Sequence, residues 1–309
     1  MSSVEHIKEG RSRPSFPWAL SSLLSRVLGR ATPGAGSPAI LALLMLPGLI
    51  IVAAFFAIPM ALVAMRVADG PDGLATYFVI LTNDRYLASL IQTLVMSAGV
   101  TVTALILCGV CGLFLVRNRF AGRNVITALL TLPLSFPGTV VGFMVIMLAG
   151  RQGVIGSISD ALWGEKIVFA YEITGLFVGY LYFSIPRVIL AVMASAEKLD
   201  PKLEEAARSL GAPTWRVVRD VILPGLMPGL VSSGAICFAT AMGAFGTAFT
   251  LATDIDVLPM VIYTEFTRNA NIAVAAALSI ALGAMTWAVL AAVRIFVGNG
   301  ATSGTGGGA

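Results

Sequence analysis

Few residues in this chain are spaced for chemistry. Cys108 and Cys111 have the C-x-x-C spacing of a redox pair, and Cys237 is the third cysteine. No Lys, Arg or His lies beside the pair to lower a thiol pKa, so all three read as small apolar packing residues. His6 is the one histidine, which rules out a histidine-ligated metal site or an HExxH dyad. A buried nucleophile with its base is missing as well, so no catalytic residue and no metal ligand set is assigned. The chain has no GxxxxGK[ST] phosphate loop, and ATP hydrolysis cannot be its own work. Two features remain. One is Arg187, alone in an apolar stretch. The other is a segment that gathers Glu204, Glu205, Arg208, Arg216, Arg219 and Asp220 in a chain that otherwise avoids charge.

The elements that must position these residues are set by composition. Of 309 residues, 57% are hydrophobic and 12% are charged, and the mean hydropathy is +0.90. Uncharged runs cover 39–65, 87–116, 124–150, 224–253 and 269–293. A sixth apolar run, 173–196, is broken only by Arg187. Each is long enough for the roughly 20 residues a helix needs to cross a bilayer. The runs are far longer than the short alternating strands of a membrane β-barrel. The expected fold class is an all-α membrane protein with six transmembrane helices spanning 39–297.

Basic residues orient the spans. Arg187 lies inside one. Arg66, Arg85, Arg151, Lys166 and Arg268 fall on one side, and the other fourteen of the 20 Lys and Arg fall on the opposite side, with both ends of the chain. That asymmetry predicts cytoplasmic termini, N-in/C-in. It also accounts for the formal charge of +4 without a nucleic-acid partner. Residues 1–38 read as a disordered cytoplasmic arm, the alternative being that Phe16 to Leu28 lies along the membrane surface. Residues 298–309, rich in Gly and Ser, read as a flexible tail. The connections 67–86, 151–171 and 254–268 read as mildly acidic outer loops.

The inner connection 197–224 has helical grammar. Asp200-Pro201 places a capping side chain ahead of a proline at the first turn. Leu203, Ala206, Ala207 and Leu210 then form a narrow apolar stripe, and Gly211 is a left-handed stop. A second short helix, 214–222, is expected around Trp215, Val218 and Ile222, ended by Pro224. A lipid-facing hairpin would carry larger anchors than alanine, so the stripe suits a protein partner.

Here the chain resembles the inner-membrane permease subunits of binding-protein-dependent ABC importers. Their cytoplasmic motif runs EAA, three residues, Gly, nine residues, an aliphatic residue, one residue, Leu-Pro. The matching positions are Glu205, Ala206, Ala207, Gly211, Val221, Leu223 and Pro224, with Val221 replacing the usual isoleucine. The resemblance covers about residues 87–297. It implies a type I ABC importer permease fold in a bacterial inner membrane, whose motif loop is a coupling helix docked on a separate ATPase. Glu205 would supply polar contact, Ala206 and Ala207 close approach, and Gly211 the turn. The implied partners are two ATPase subunits carrying ATP and Mg, a second permease subunit (identical or paralogous) and an external solute-binding protein.

For the pathway, Pro133 and Pro137 interrupt the third run and Gly243 and Gly246 the fifth. Such backbone is tolerated at membrane depth where it is buried or lines a cavity. Together with Arg187 they are the pathway candidates. A charge in a span costs about 2.5 kcal/mol or more, and no acid lies at comparable depth, so a polar cavity or a backbone carbonyl is the expected surrounding of Arg187. The pattern resembles the branch carrying polyamines, aminoethylphosphonate, ferric iron, sulfate and molybdate. Relatives handling sulfate or molybdate often have Glu where this chain has Ala244, which tilts the expectation toward polyamine or aminoethylphosphonate. Ferric iron, sulfate or molybdate is the alternative cargo. An ion-coupled secondary transporter would need buried mid-span acids, and the spans have none.

Overall fold

The computed structural model describes residues 38–70, 73–251 and 255–302. The expected N-terminal arm, with its alternative surface-lying stretch, falls outside them except for Pro38. Helices α1 (Pro38–Val52) and α2 (Ile58–Ala68) are joined by a π turn at Ala53–Ala57. The chain divides into two compact units after Leu62. In the first, every residue from Met45 to Leu62 is exposed.

The second unit begins at Val63. A 3-10 turn (Gly73–Phe78) and α3 (Val79–Thr82) lead into α4 (Asp84–Arg117). Next come α5 (Arg123–Thr131), a 3-10 turn (Leu132–Ser135), α6 (Gly138–Ala149) and α7 (Val154–Trp163). Helix α8 (Ile173–Ala196) is followed by α9 (Pro201–Ser209), α10 (Thr214–Val217), a π turn (Val218–Ile222) and α11 (Leu223–Met242). Helices α12 (Phe245–Leu251), α13 (Leu258–Thr267) and α14 (Ile272–Thr302) complete the unit.

Among the described residues, six stretches are long and apolar enough to cross a membrane: Met45–Ala68, Asp84–Arg117, Gly138–Trp163, Ile173–Ala196, Thr214–Met242 and Ile272–Ile295. The third differs from the expected 124–150. Pro133 and Pro137 remove two backbone donors, and Pro137 is extended (φ −62°, ψ 152°), so the run splits into α5 and α6. At about 1.5 Å per residue the 12-residue α6 alone is too short for a bilayer.

Helices α4, α8 and α11 pack on one another along most of their length. Ala104, Cys108 and Leu115 of α4 meet Val188, Ile189 and Val192 of α8 and Cys237 of α11, all buried. The thiol of Cys108 points to the Ile185 carbonyl at 3.6 Å, and none of the three cysteines is in a disulfide. A second cluster joins α4, α6, α8 and α12 through Val100, Val145, Leu176, Tyr180 and Leu251.

The connections are more ordered than their acidity predicts. Residues 67–86 contain the turn and α3, 151–171 contain α7, and 254–268 contain α13 with Leu258, Val261 and Glu265 buried. The apolar residues of α3 and α13, too few to span, pack instead against Leu90 of α4 and Val274 and Leu278 of α14. At this end Arg85 donates to both Asp256 oxygens at 3.1 Å, and the Tyr86 hydroxyl donates to Glu265 Oε1 at 3.0 Å. Helix α14 also continues to Thr302, into the stretch expected as a flexible tail.

Candidate functional site

Two sites emerge, at different levels of the bundle. The first is the segment 197–224. Asp200 caps α9 by accepting from the Lys202 N–H at 3.0 Å, with Pro201 in the first turn. The helix stops in a Schellman arrangement. The Gly211 N–H donates to the Arg208 carbonyl at 2.9 Å and the Ala212 N–H to the Ala207 carbonyl at 3.1 Å. Gly211 sits at φ +80°, where a side chain is strained. Beyond it the structure departs from expectation. The chain from Thr214 runs through the π turn straight into α11, and Pro224 lies in the first turn of α11 instead of ending a helix. Inside this continuous run Pro224 has no N–H to donate to the preceding turn, and the π turn lies there. Trp215 and Val218 do not form the packed stripe. Trp215 is 57% exposed, flanked by the guanidinium groups of Arg216 and Arg219. Ile222 is buried as expected, and Val217 joins it in place of Trp215 and Val218, against Ala196, Leu199, Leu226, Leu113 and Val116.

The segment is therefore seated on the ends of α4, α8 and α11. An ion pair adds to this: Arg117, the last residue of α4, donates to Glu204, both side chains being largely shielded from solvent. Sequence reasoning missed this pair, although Glu204 is the only acid of α9 beside the motif's Glu205. Glu205 and Ala206 are exposed and Ala207 is half-buried. Leu203 is 57% and Leu210 89% exposed. Beside Gly211 a hollow of about 270 Å³ is lined by Ala207, Leu210, Ala212, Arg216, Asp220 and Val221. Leu223 and Pro224 are exposed at the start of α11. The segment thus has a packed inner side and an exposed outer side with apolar residues.

The second site is a cavity of about 450 Å³ where two helices are interrupted. Four of the five pathway candidates line it: Pro137, Arg187, Gly243 and Gly246, joined by Gly138, Phe183, Thr240 and Thr247. Pro133 does not; it is buried in the turn between α5 and α6. Helices α6 and α12 begin beside one another because Gly138 and Gly246 lack side chains. A Cβ on Gly138 would meet the Thr247 nitrogen at 3.3 Å, and one on Gly246 the Thr139 nitrogen at 3.1 Å. The Thr247 hydroxyl donates to the Gly138 carbonyl at 3.0 Å across this crossing.

Arg187 follows Pro186 on α8, with Nη1 donating to the Phe183 carbonyl at 3.3 Å and the guanidinium 5.0 Å from the Phe183 ring centroid. Both surroundings expected of it, a carbonyl and a polar cavity, are present. Sequence reasoning missed Tyr180. Its hydroxyl donates to the Ala244 carbonyl at 2.6 Å, at the break between α11 and α12. The signal was available, since Tyr180, Ser184 and Arg187 recur at helical spacing on one face of α8.

Comparison with known proteins agrees with this architecture. Residues 104–299 match the family described as binding-protein-dependent transport system inner membrane component. The sulfate transport system permease protein CysW of Synechocystis is 33% identical over 219 residues, 69% of this chain and 78% of that protein. The molybdenum transport system permease protein ModB of Escherichia coli is 33% identical over 181 residues, covering 56% and 78%. A protein of Salmonella typhimurium named for 2-aminoethylphosphonate transport is 28% identical over 239 residues, covering 75% and 83%. The fold matches a bacterial ABC transporter that imports alginate, with a TM-score of 0.72 at 16% identity over 90% of this chain and 98% of that one. With well over half of its length matched, the chain belongs to the family of inner-membrane components of binding-protein-dependent transport systems, the permease subunits of ABC importers.

Proposed function

We propose that this chain moves a small solute across the inner membrane by alternating access, powered by a separate ATPase that docks on 197–224. The single observation behind this reading is the two-sided character of that segment. Its inner side is held to α4, α8 and α11 by the Arg117–Glu204 pair and a buried cluster, while Glu205, Ala206, Leu203 and Leu210 face outward. A rigid element joined to the spans and open to a partner is what coupling requires. In this reading Gly211, Val221, Leu223 and Pro224 shape the seat, and both termini are cytoplasmic, on the side rich in Lys and Arg.

Two ATPase subunits binding ATP and Mg, a second permease subunit and an external binding protein complete the assembly. One structural relative, an alginate ABC transporter, was solved with its periplasmic protein. The relatives named above are assigned to sulfate, molybdenum and aminoethylphosphonate. Of the cargoes expected from sequence, those three and ferric iron remain with polyamine as the set to be tested. The test is uptake by the assembled importer in sealed vesicles. Uptake requiring internal ATP and abolished in a Gly211→Arg variant supports the reading. Uptake driven by membrane potential alone, or unaffected by Gly211→Arg, overturns it.

A further inference from the structure

We propose that the cavity beside Arg187 is an oxyanion site on the solute path, so that the cargo of this importer is a small anion; the inference rests on the importer reading above. Arg187 is the one charged side chain lining the cavity, and no carboxylate accompanies it. The ion pairs among the described residues are Arg66–Asp69, Arg85–Asp256, Arg117–Glu204, Lys166–Asp160 and Arg219–Asp220, none of which involves Arg187. Of the five N–H donors on a guanidinium, one is used on the Phe183 carbonyl, and the ring of Phe183 braces the group at 5.0 Å. Most of the fork remains free at the cavity wall.

The other polar groups do not neutralise the charge. Thr240 and Thr247 already donate their hydroxyl protons, to the Ile236 and Cys237 carbonyls and to the Gly138 carbonyl. At the start of α6 the lining residue Gly138 adds an N–H that has no partner within the helix by position. A planar fork with free donors matches two oxygens of a tetrahedral anion. A volume of about 450 Å³ falls within the range of small-molecule sites, about 300–1,000 Å³. A polyamine would meet an unscreened positive charge with no acid to receive it, and this cavity discriminates against it.

The experiment uses the complete importer with its binding protein in proteoliposomes, and labelled sulfate, molybdate, 2-aminoethylphosphonate and spermidine as probes. The expected result is uptake of at least one of the three anions and not of spermidine. Arg187→Gln should lower that uptake about tenfold or more, as loss of a partially desolvated charge partner does. Arg187→Lys, which keeps the charge without the fork, should raise the half-saturating concentration and retain measurable uptake. Recovery of each variant in the assembled complex by gel filtration shows that it has folded; if Arg187→Gln fails to assemble, the Lys variant decides. Spermidine as the transported solute, or anion uptake within about twofold of wild type in the folded variants, overturns the proposal. Uptake that ignores ATP overturns the importer reading instead, and its dependence on Arg187 still decides the anion site.

Discussion

At the scale of single residues, the two sites depend on groups with distinct physical tasks. Gly211 holds a left-handed backbone conformation at the end of α9, with φ +80°. Replacing it with Val should destabilise the segment by about 1–2 kcal/mol, the cost of a side chain in that region. Thermal unfolding of the purified chain in detergent measures this; an unchanged midpoint would show that the turn relaxes. The Arg117–Glu204 pair acts between elements. Arg117→Gln and Glu204→Gln should be non-additive, with a coupling energy of about 0.5–3 kcal/mol in a double-mutant cycle. Additive effects would mean that the pair contributes nothing to seating α9. Glu205 was legible from sequence through its motif, whereas Glu204 was not, because its partner lies 87 positions away.

At the scale of elements, the six spans were readable because long uncharged runs have few structural alternatives. The breaks were half-readable. Proline and glycine marked where α6 and α12 begin, but only tertiary contact shows that Gly138 and Gly246 meet and that Pro133 turns away from the cavity. Helix α13 was hidden for a related reason. It is too short to register as a span, and its acidic flanks resembled a solvated loop, yet Leu258 and Val261 are buried. The break at Gly243–Ala244 depends on Tyr180. Tyr180→Phe removes this hydrogen bond and should cost about 0.5–1.5 kcal/mol of stability. That loss should appear as a lower unfolding temperature, and an unchanged one would show that another donor reaches the carbonyl.

At the scale of the whole molecule, the two ends of α4 separate two kinds of structure. Arg117 and the motif segment lie at one end. Asp256, Glu265 and α13 lie at the other, beside Arg85 and Tyr86. In the proposed topology the first end is cytoplasmic, on the side richer in Lys and Arg. In a background lacking Cys108, Cys111 and Cys237, a cysteine at Glu165 should react with an impermeant maleimide from outside intact cells. A cysteine at Arg208 should react only after the membrane is opened. The reverse pattern would invert the molecule and remove the basis for ATPase docking. The sequence carries no GxxxxGK[ST] phosphate loop, which makes the proposed ATPase partner the central claim. The most direct measurement is purification of the tagged full-length chain in mild detergent, with identification of bound subunits and assay of ATP hydrolysis. The account predicts a retained ATPase that is lost in a Glu205→Arg variant still inserted in the membrane. A chain that purifies alone, or an ATPase held equally well by the variant, would contradict it.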